Sequence, residues 1–300
     1  MCAFASFGGI FFGYDIGYIS SVMGMSYFIN QFGNVGGTPA NVAATNAQAA
    51  AGVAGVKAYQ LQSSDKSLIT SILSAGTFFG AIVAGDIADF IGRRSTIIMG
   101  CFIFVVGVII SIASTSIGVL AAGRFIAGLG VGFESAIVIL YMSEVAPKKV
   151  RGALVAGYQF CITIGILLAS CTDYGTQNRL DTGSYRIPIG IQFLWALILG
   201  GGLFFLAESP RYFVKRGKID QAAQSLATLR GQPRESEFIQ AELAEIIANH
   251  EYELRVVPQN GYFASWANCF KGSLWHQSSN LRRTILGTSL QMMQQWTGIK

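Results

Sequence analysis

Three ionisable side chains, Asp15, Arg124 and Glu134, lie well inside runs of apolar residues. A charge at the centre of a membrane helix costs about 3 kcal/mol on insertion scales, so each must face a helix bundle or a water-filled cavity. Asp15 and Arg124 have opposite sign and could pair. The arginine favours a charged carboxylate and burial a neutral one, so a carboxyl poised between them could take up and release a proton as helices move. A permanent ion pair that only holds two helices together accounts for the same residues equally well. Glu134 follows Arg124 by ten residues, nearly three turns along a helix. It pairs with another helix, stays protonated or lines a cavity. Polar amides form a second set: Gln159 in one apolar run, and Gln291, Gln294 and Gln295 in the last. A polyhydroxylated ligand would supply the donors and acceptors such amides need; hydrogen bonds between helices would do so too.

The elements that carry these residues are membrane spans. The chain is 52% hydrophobic and 12% charged, with 36 glycines and a mean hydropathy of +0.47, whereas soluble domains are about a quarter charged. Apolar runs at approximately 3–29, 67–88, 95–115, 119–142, 152–172 and 188–206 are long enough to span a bilayer, and a seventh starts near Thr284. The first run lacks a basic flank and holds Tyr14 and Asp15, which argues against a cleavable signal peptide. The five cysteines show no paired or metal-like spacing and read mostly as small buried hydrophobes.

Sidedness follows from the basic residues. Nearly all Lys and Arg outside the spans fall in 89–94, 148–151 and 211–283. Short cytoplasmic loops collect such residues, so the start of helix 1 and segment 211–283 are expected inside and loop 30–66 outside. This alternation with apolar spans excludes nucleic acid as the partner. Segment 211–283 is soluble and partly helical. Within 235–253, Phe238, Leu243, Ile246 and Ile247 share one face, with Glu242 and Glu245 more exposed. Gly76 and Gly80, then Gly128 and Gly132, are spaced four apart, a pattern that lets helices approach closely in lipid. No Ser/His/Asp set, metal spacing or phosphate loop occurs, so neither an enzyme nor an ATP-driven pump is expected, and no cofactor is implied.

Ordered motifs then carry a resemblance that runs from Phe12 to Gly298. FGYDIG at Phe12–Gly17, GDIADFIGRR at Gly85–Arg94, GRFIAGLGVG at Gly123–Gly132 with YMSEVAP at Tyr141–Pro147 and Arg151-Gly152, ESPR at Glu208–Arg211 and QQWTG at Gln294–Gly298 resemble the signatures of sugar porters of the major facilitator superfamily, closest to fungal hexose transporters. The resemblance implies an all-α integral membrane protein of the major facilitator fold: a six-helix half over 1–210, an intracellular helical domain over 211–283 and the start of helix 7 over 284–300. It implies sugar contacts at Gln159, Ile162, Gln294 and Gln295, and proton coupling by Asp15 with Arg124. It also implies a cytoplasmic gate of Asp89, Arg93, Arg94, Glu144, Arg151, Glu208 and Arg211. Ile139 and Ala207 stand where many members have proline, and Lys300 where helix 7 usually has a sugar-binding Asn.

The implied partners are a monosaccharide, protons, the lipid bilayer and a second transmembrane half, since such porters hold their ligand between two six-helix halves. The chain is expected to be the front portion of a longer porter in the plasma membrane. Sugar:proton symport, facilitative uniport, a non-transporting sugar sensor of the same fold and an inactive truncated product all remain open at this level.

Overall fold

The computed structural model describes residues 2–35, 59–147, 149–179, 181–256, 269–270, 272 and 279–296. In chain order the elements are α1 (Cys2–Ala5), α2 (Gly8–Val22), α3 (Ser26–Phe32), β1 (Asn34–Val35), β2 (Tyr59–Gln60), α4 (Ser63–Ile91) and α5 (Arg93–Ala113). They continue as α6 (Ile117–Val145), α7 (Arg151–Thr176), α8 (Gly183–Leu203), α9 (Pro210–Lys215), α10 (Ile219–Arg230), α11 (Glu237–Val256) and α12 (Asn280–Trp296). β1 and β2 are antiparallel, with Asn34 opposite Gln60 and Val35 opposite Tyr59. Most of the expected external loop 30–66 lies outside the described residues.

Among the described residues five helices, α4 to α8, are long and apolar enough to cross a bilayer. They match five of the six expected runs and mostly extend them, because polar first turns such as Ser63–Lys66 are helical without being apolar. The first run departs from expectation. Instead of one span over 3–29 it is divided into α1, α2 and α3. At the second break the Gly24 and Met25 amides bond carbonyls three residues back, on Ser21 and Val22, which tightens the last turn and ends the helix. The seventh helix starts at Asn280, ahead of the apolar run at Thr284.

Residues Met1–Leu243 form one compact unit and Ala244–Lys300 another. The division falls inside α11 and therefore within the expected domain 211–283. On α11 Leu243 is buried and Ile246 and Ile247 are half-buried, as the sequence reading expects, but Ile239 takes the place expected of Phe238. Ile239 is fully buried and Phe238 is 56% exposed; Glu242 is turned inward enough to hold Arg230. That ion pair fixes the rotation of the helix.

In the first unit α6 is the hub, packed most extensively against α4 and α5, while α2 lies along α7. Glycine makes both contacts possible. A Cβ at Gly76 would stand 2.4 Å from the Phe125 carbonyl, and one at Gly132 would stand 2.4 Å from that of Thr77. Gly13 and Gly165 play the same part between α2 and α7: a Cβ at Gly13 would come within 2.1 Å of the Ile162 carbonyl. The core divides into two apolar clusters. One holds Phe11, Tyr14, Phe104 and Tyr185; the other, nearer the Arg93 end, holds Ala88, Ile97, Tyr141 and Leu203. Large apolar side chains such as Phe78, Phe102, Phe160 and Leu197 face outward, as lipid-facing residues do.

A bulky side chain at these glycines should separate the helices. Gly80→Leu, whose Cβ would meet the Leu129 carbonyl at 2.3 Å, is expected to lower stability by about 3 kcal/mol. Gly85→Ala, in open space, should leave it unchanged or raise it by up to about 1 kcal/mol. Thermal unfolding of the detergent-solubilised variants measures both.

Candidate functional site

Polar side chains from four helices meet in the membrane part of the bundle. Asp15 on α2 is 1% exposed, and its Oδ1 accepts Gln192 Nε2–H from α8 at 2.8 Å. Arg124 on α6 is equally buried. Its Nη1 donates to the Tyr18 hydroxyl at 2.7 Å and its Nε to the Ile69 carbonyl of α4 at 3.0 Å. The guanidinium also lies 5.6 Å from the centre of the Tyr18 ring. Asp15 and Arg124 form no ion pair within 4.0 Å. Tyr18 is three residues beyond Asp15, hence on the same helix face, and it takes up the arginine itself. Asp15 Oδ2 and Arg124 Nη2 are left buried without hydrogen-bond partners. Glu134 joins no cation either: its Oε1 accepts the Cys101 thiol of α5 at 2.7 Å, and its Oε2 has no partner.

A second cluster closes one end of the bundle, and it starts from a helix terminus. The first amides of α5 have no partner within the helix, and Gly92 at its N-terminus has no side chain to cap them. Glu208, from the segment after α8, does so instead. Its Oε1 accepts the Arg93 and Arg94 amides at 3.0 and 3.1 Å, where the helix dipole favours an anion. Gly92 has φ +107°, and a Cβ there would come within 2.6 Å of Glu208 Oε2, so glycine suits the position twice.

Arg93 organises the rest. Its Nε and Nη2 grip Glu144 at 3.1 and 3.2 Å, a bidentate pair whose side chains are 8% and 7% exposed. Its Nη1 reaches Asp89 Oδ1 at 3.1 Å and the Ala88 carbonyl at 3.1 Å. Ser209 Oγ donates to Glu144, Lys215 pairs with Asp89 at 2.5 Å, and Arg94 Nη2 donates to the Phe204 carbonyl at 2.7 Å. Tyr141 closes the same seam by donating to the Ala207 carbonyl at 2.6 Å.

The structure thus brings together Asp89, Arg93, Arg94, Glu144 and Glu208. Arg151 and Arg211 do not join them among the described residues. Arg151 reaches only the Ala146 carbonyl, at 3.4 Å, and its Nε is buried without a partner; Arg211 is exposed. Glu144 faces Arg93, and Glu208 faces backbone amides.

Gln159 and Ile162 on α7 point in different directions. Gln159 is on the exposed face, which Thr163 and Ser170 continue as a polar edge, whereas Ile162 is buried against α2. Gln291 on α12 is exposed. Gln294 and Gln295 belong to the same helix, but their side chains lie outside the described residues, as does Lys300.

The family model described as "Sugar (and other) transporter" matches residues 1–300. The chain belongs to this family. Among curated proteins it is 47% identical to the major facilitator-type transporter ecdD of Aspergillus rugulosus, covering 99% of this chain and 50% of that protein. It is 39% identical to the probable glucose transporter rco-3 of Neurospora crassa (99% and 46%), and 38% identical to the high glucose sensor RGT2 of Saccharomyces cerevisiae (99% and 35%). The chain spans about half or less of the length of these relatives. In fold it is similar to the xylose transporter XylE from E. coli in a partially occluded inward open conformation, with TM-score 0.68 and 22% identity over 85% of this chain and 60% of that one.

Gln192, Tyr18, Ser209 and Tyr141 escaped the sequence reading. The argument that singled out Gln159, an amide in an apolar run, applies equally to Gln192. Ser209 and Tyr141 lie within the ESPR and YMSEVAP motifs, which could have singled them out, whereas Tyr18 carries no such signal, since it acts only through its neighbour.

The buried Arg93–Glu144 pair should behave as a coupled unit. Arg93→Met alone is expected to destabilise the bundle by about 3–5 kcal/mol, by leaving a buried charge. Adding Glu144→Gln should recover much of that loss, a coupling read by a double-mutant cycle of thermal unfolding in detergent.

Proposed function

We propose that the chain forms the first six-helix half of a hexose transporter that moves sugar and protons together by alternating access. The observation that carries the reading is Asp15: a buried carboxylate held by a neutral amide, with its second oxygen unpartnered and its nearest cation engaged elsewhere. Charge is costly in such a place unless paired. Protonation removes that cost and turns the carboxyl into a hydrogen-bond donor, so the proton load can decide how α2 sits against α6 and α8. The relatives support the substrate class, rco-3 being named as a probable glucose transporter and XylE as a proton:xylose symporter.

In this reading the exposed Gln159 on α7 contacts the sugar at the boundary with a second helical half; Ile162, buried against α2, reaches it only if α7 shifts, and Gln294 and Gln295 are further candidate contacts. Asp89, Arg93, Arg94, Glu144 and Glu208 form a cytoplasmic gate whose contacts break when the halves rock, and Arg151 and Arg211 enter it in another state of the cycle. The Arg93 end and segment 211–283 then face the cytoplasm, with the protein in the plasma membrane. A sensor of the same fold is the second reading, supported by the 38% identity to RGT2. Facilitative uniport is the outcome if Asp15 proves to hold helices only.

Reconstitution of a protein carrying both halves tests the proposal. The parent should accumulate labelled glucose against its gradient when a proton gradient is imposed. Asp15→Asn should lose that accumulation and keep sugar exchange. Undiminished uphill uptake in the variant would remove the proton role, and no uptake by the parent would favour the sensor.

A further inference from the structure

At the end of the bundle opposite the Arg93 cluster, the last turns of α2 and α7 border a cavity of about 510 Å³. Ser21, Ser26, Ser170, Asp173, Tyr174 and Gln177 are among its lining residues. Asp173 is the unexpected member. It is 3% exposed, lines the cavity, and has both carboxylate oxygens buried without a hydrogen-bond partner. The Ser21 hydroxyl lies beside it, its one hydrogen-bonding neighbour among the described residues. A buried acid whose acceptor capacity is met by at most one serine is poised for a ligand.

The surroundings define the ligand. A carboxylate accepts two hydrogen bonds side by side, which suits vicinal hydroxyls; serine hydroxyls and a glutamine amide both donate and accept. Tyr174, 77% exposed, offers an aromatic face to the C–H side of a pyranose. A divalent cation would need several oxygen ligands with more charge, and no metal-binding group of acids, His and Cys occurs among the described residues. Asp173 is four helical turns beyond Gln159 on α7, about 21 Å along the axis, so the cavity is distinct from the amide site.

We propose that this cavity is a peripheral sugar subsite at the outer mouth, where Asp173 accepts hydroxyls of a monosaccharide before it moves inward to Gln159. The proposal rests on the transporter reading above, and its test separates the two. In a protein carrying both halves, with Cys171→Ser to remove an exposed thiol, Ser26→Cys is labelled by a membrane-impermeant thiol reagent with and without glucose. Glucose should slow labelling. Asp173→Asn should abolish that protection, and Gln159→Ala should preserve it. Asp173→Asn should also raise the half-saturating glucose concentration for uptake about tenfold, the loss of one charge-assisted hydrogen bond, with the maximal rate kept as evidence that the variant folds. Protection that survives Asp173→Asn, or disappears with Gln159→Ala as well, would overturn the subsite, as would its absence in the parent. Asp173-dependent protection in a parent that moves no sugar would keep the subsite and overturn the transporter reading.

Discussion

Glu208 accepting the first amides of α5 is the contact on which the closed end of the bundle depends. It satisfies donors that a helix cannot satisfy for itself, and it does so from a segment more than a hundred residues later. By fixing Gly92 and the start of α5, it also aims Arg93 at Glu144 and Asp89. Ser225 donates to the Glu208 carbonyl and Arg230 to that of Val145, so α10 is tied to the same seam. The contacts are polar and directional, hence able to break and reform without loss of the apolar packing behind them. This suits the gate proposed above.

In the middle of the bundle the constraint is the cost of charge in an apolar medium. Every ionisable group there becomes a tie between helices. Asp15 joins α2 to α8, Arg124 joins α6 to α2 and α4, and Glu134 joins α6 to α5. Each tie leaves one polar atom without a partner. A core built only for stability would leave none. Such incompletely satisfied networks allow more than one arrangement at similar free energy, which the alternating access proposed above would use. Close glycine contacts between α4 and α6 and between α2 and α7 provide smooth surfaces for such shifts.

The spans, the family and most of the charged cluster were legible in the sequence, because each depends on something local. An apolar run of about twenty residues has few soluble alternatives, and ordered motifs keep their spacing. Glycines four residues apart could be read as close packing because their spacing sets a helix face. The limits are equally local. The breaks around α2 fall in a stretch that is apolar throughout, so hydropathy shows one span where the backbone forms three helices. On α11 an apolar face was legible, but the choice of Ile239 over Phe238 as its anchor was made by the Arg230–Glu242 pair.

By itself the sequence determined which residues carry charge into the membrane, where five of the apolar helices that can cross it lie and which end collects the basic side chains. Those properties follow from transfer free energies, which each segment carries with it. Only the tertiary structure decided the partners. It gave Arg124 to Tyr18 instead of Asp15, Glu144 to Arg93, and Glu208 to the backbone of α5. It also placed Asp173 at an open cavity, although nothing in its sequence position marks it. A charge fixes the need for a partner, whereas the identity of that partner depends on the rotation and spacing of helices set by packing across the whole bundle.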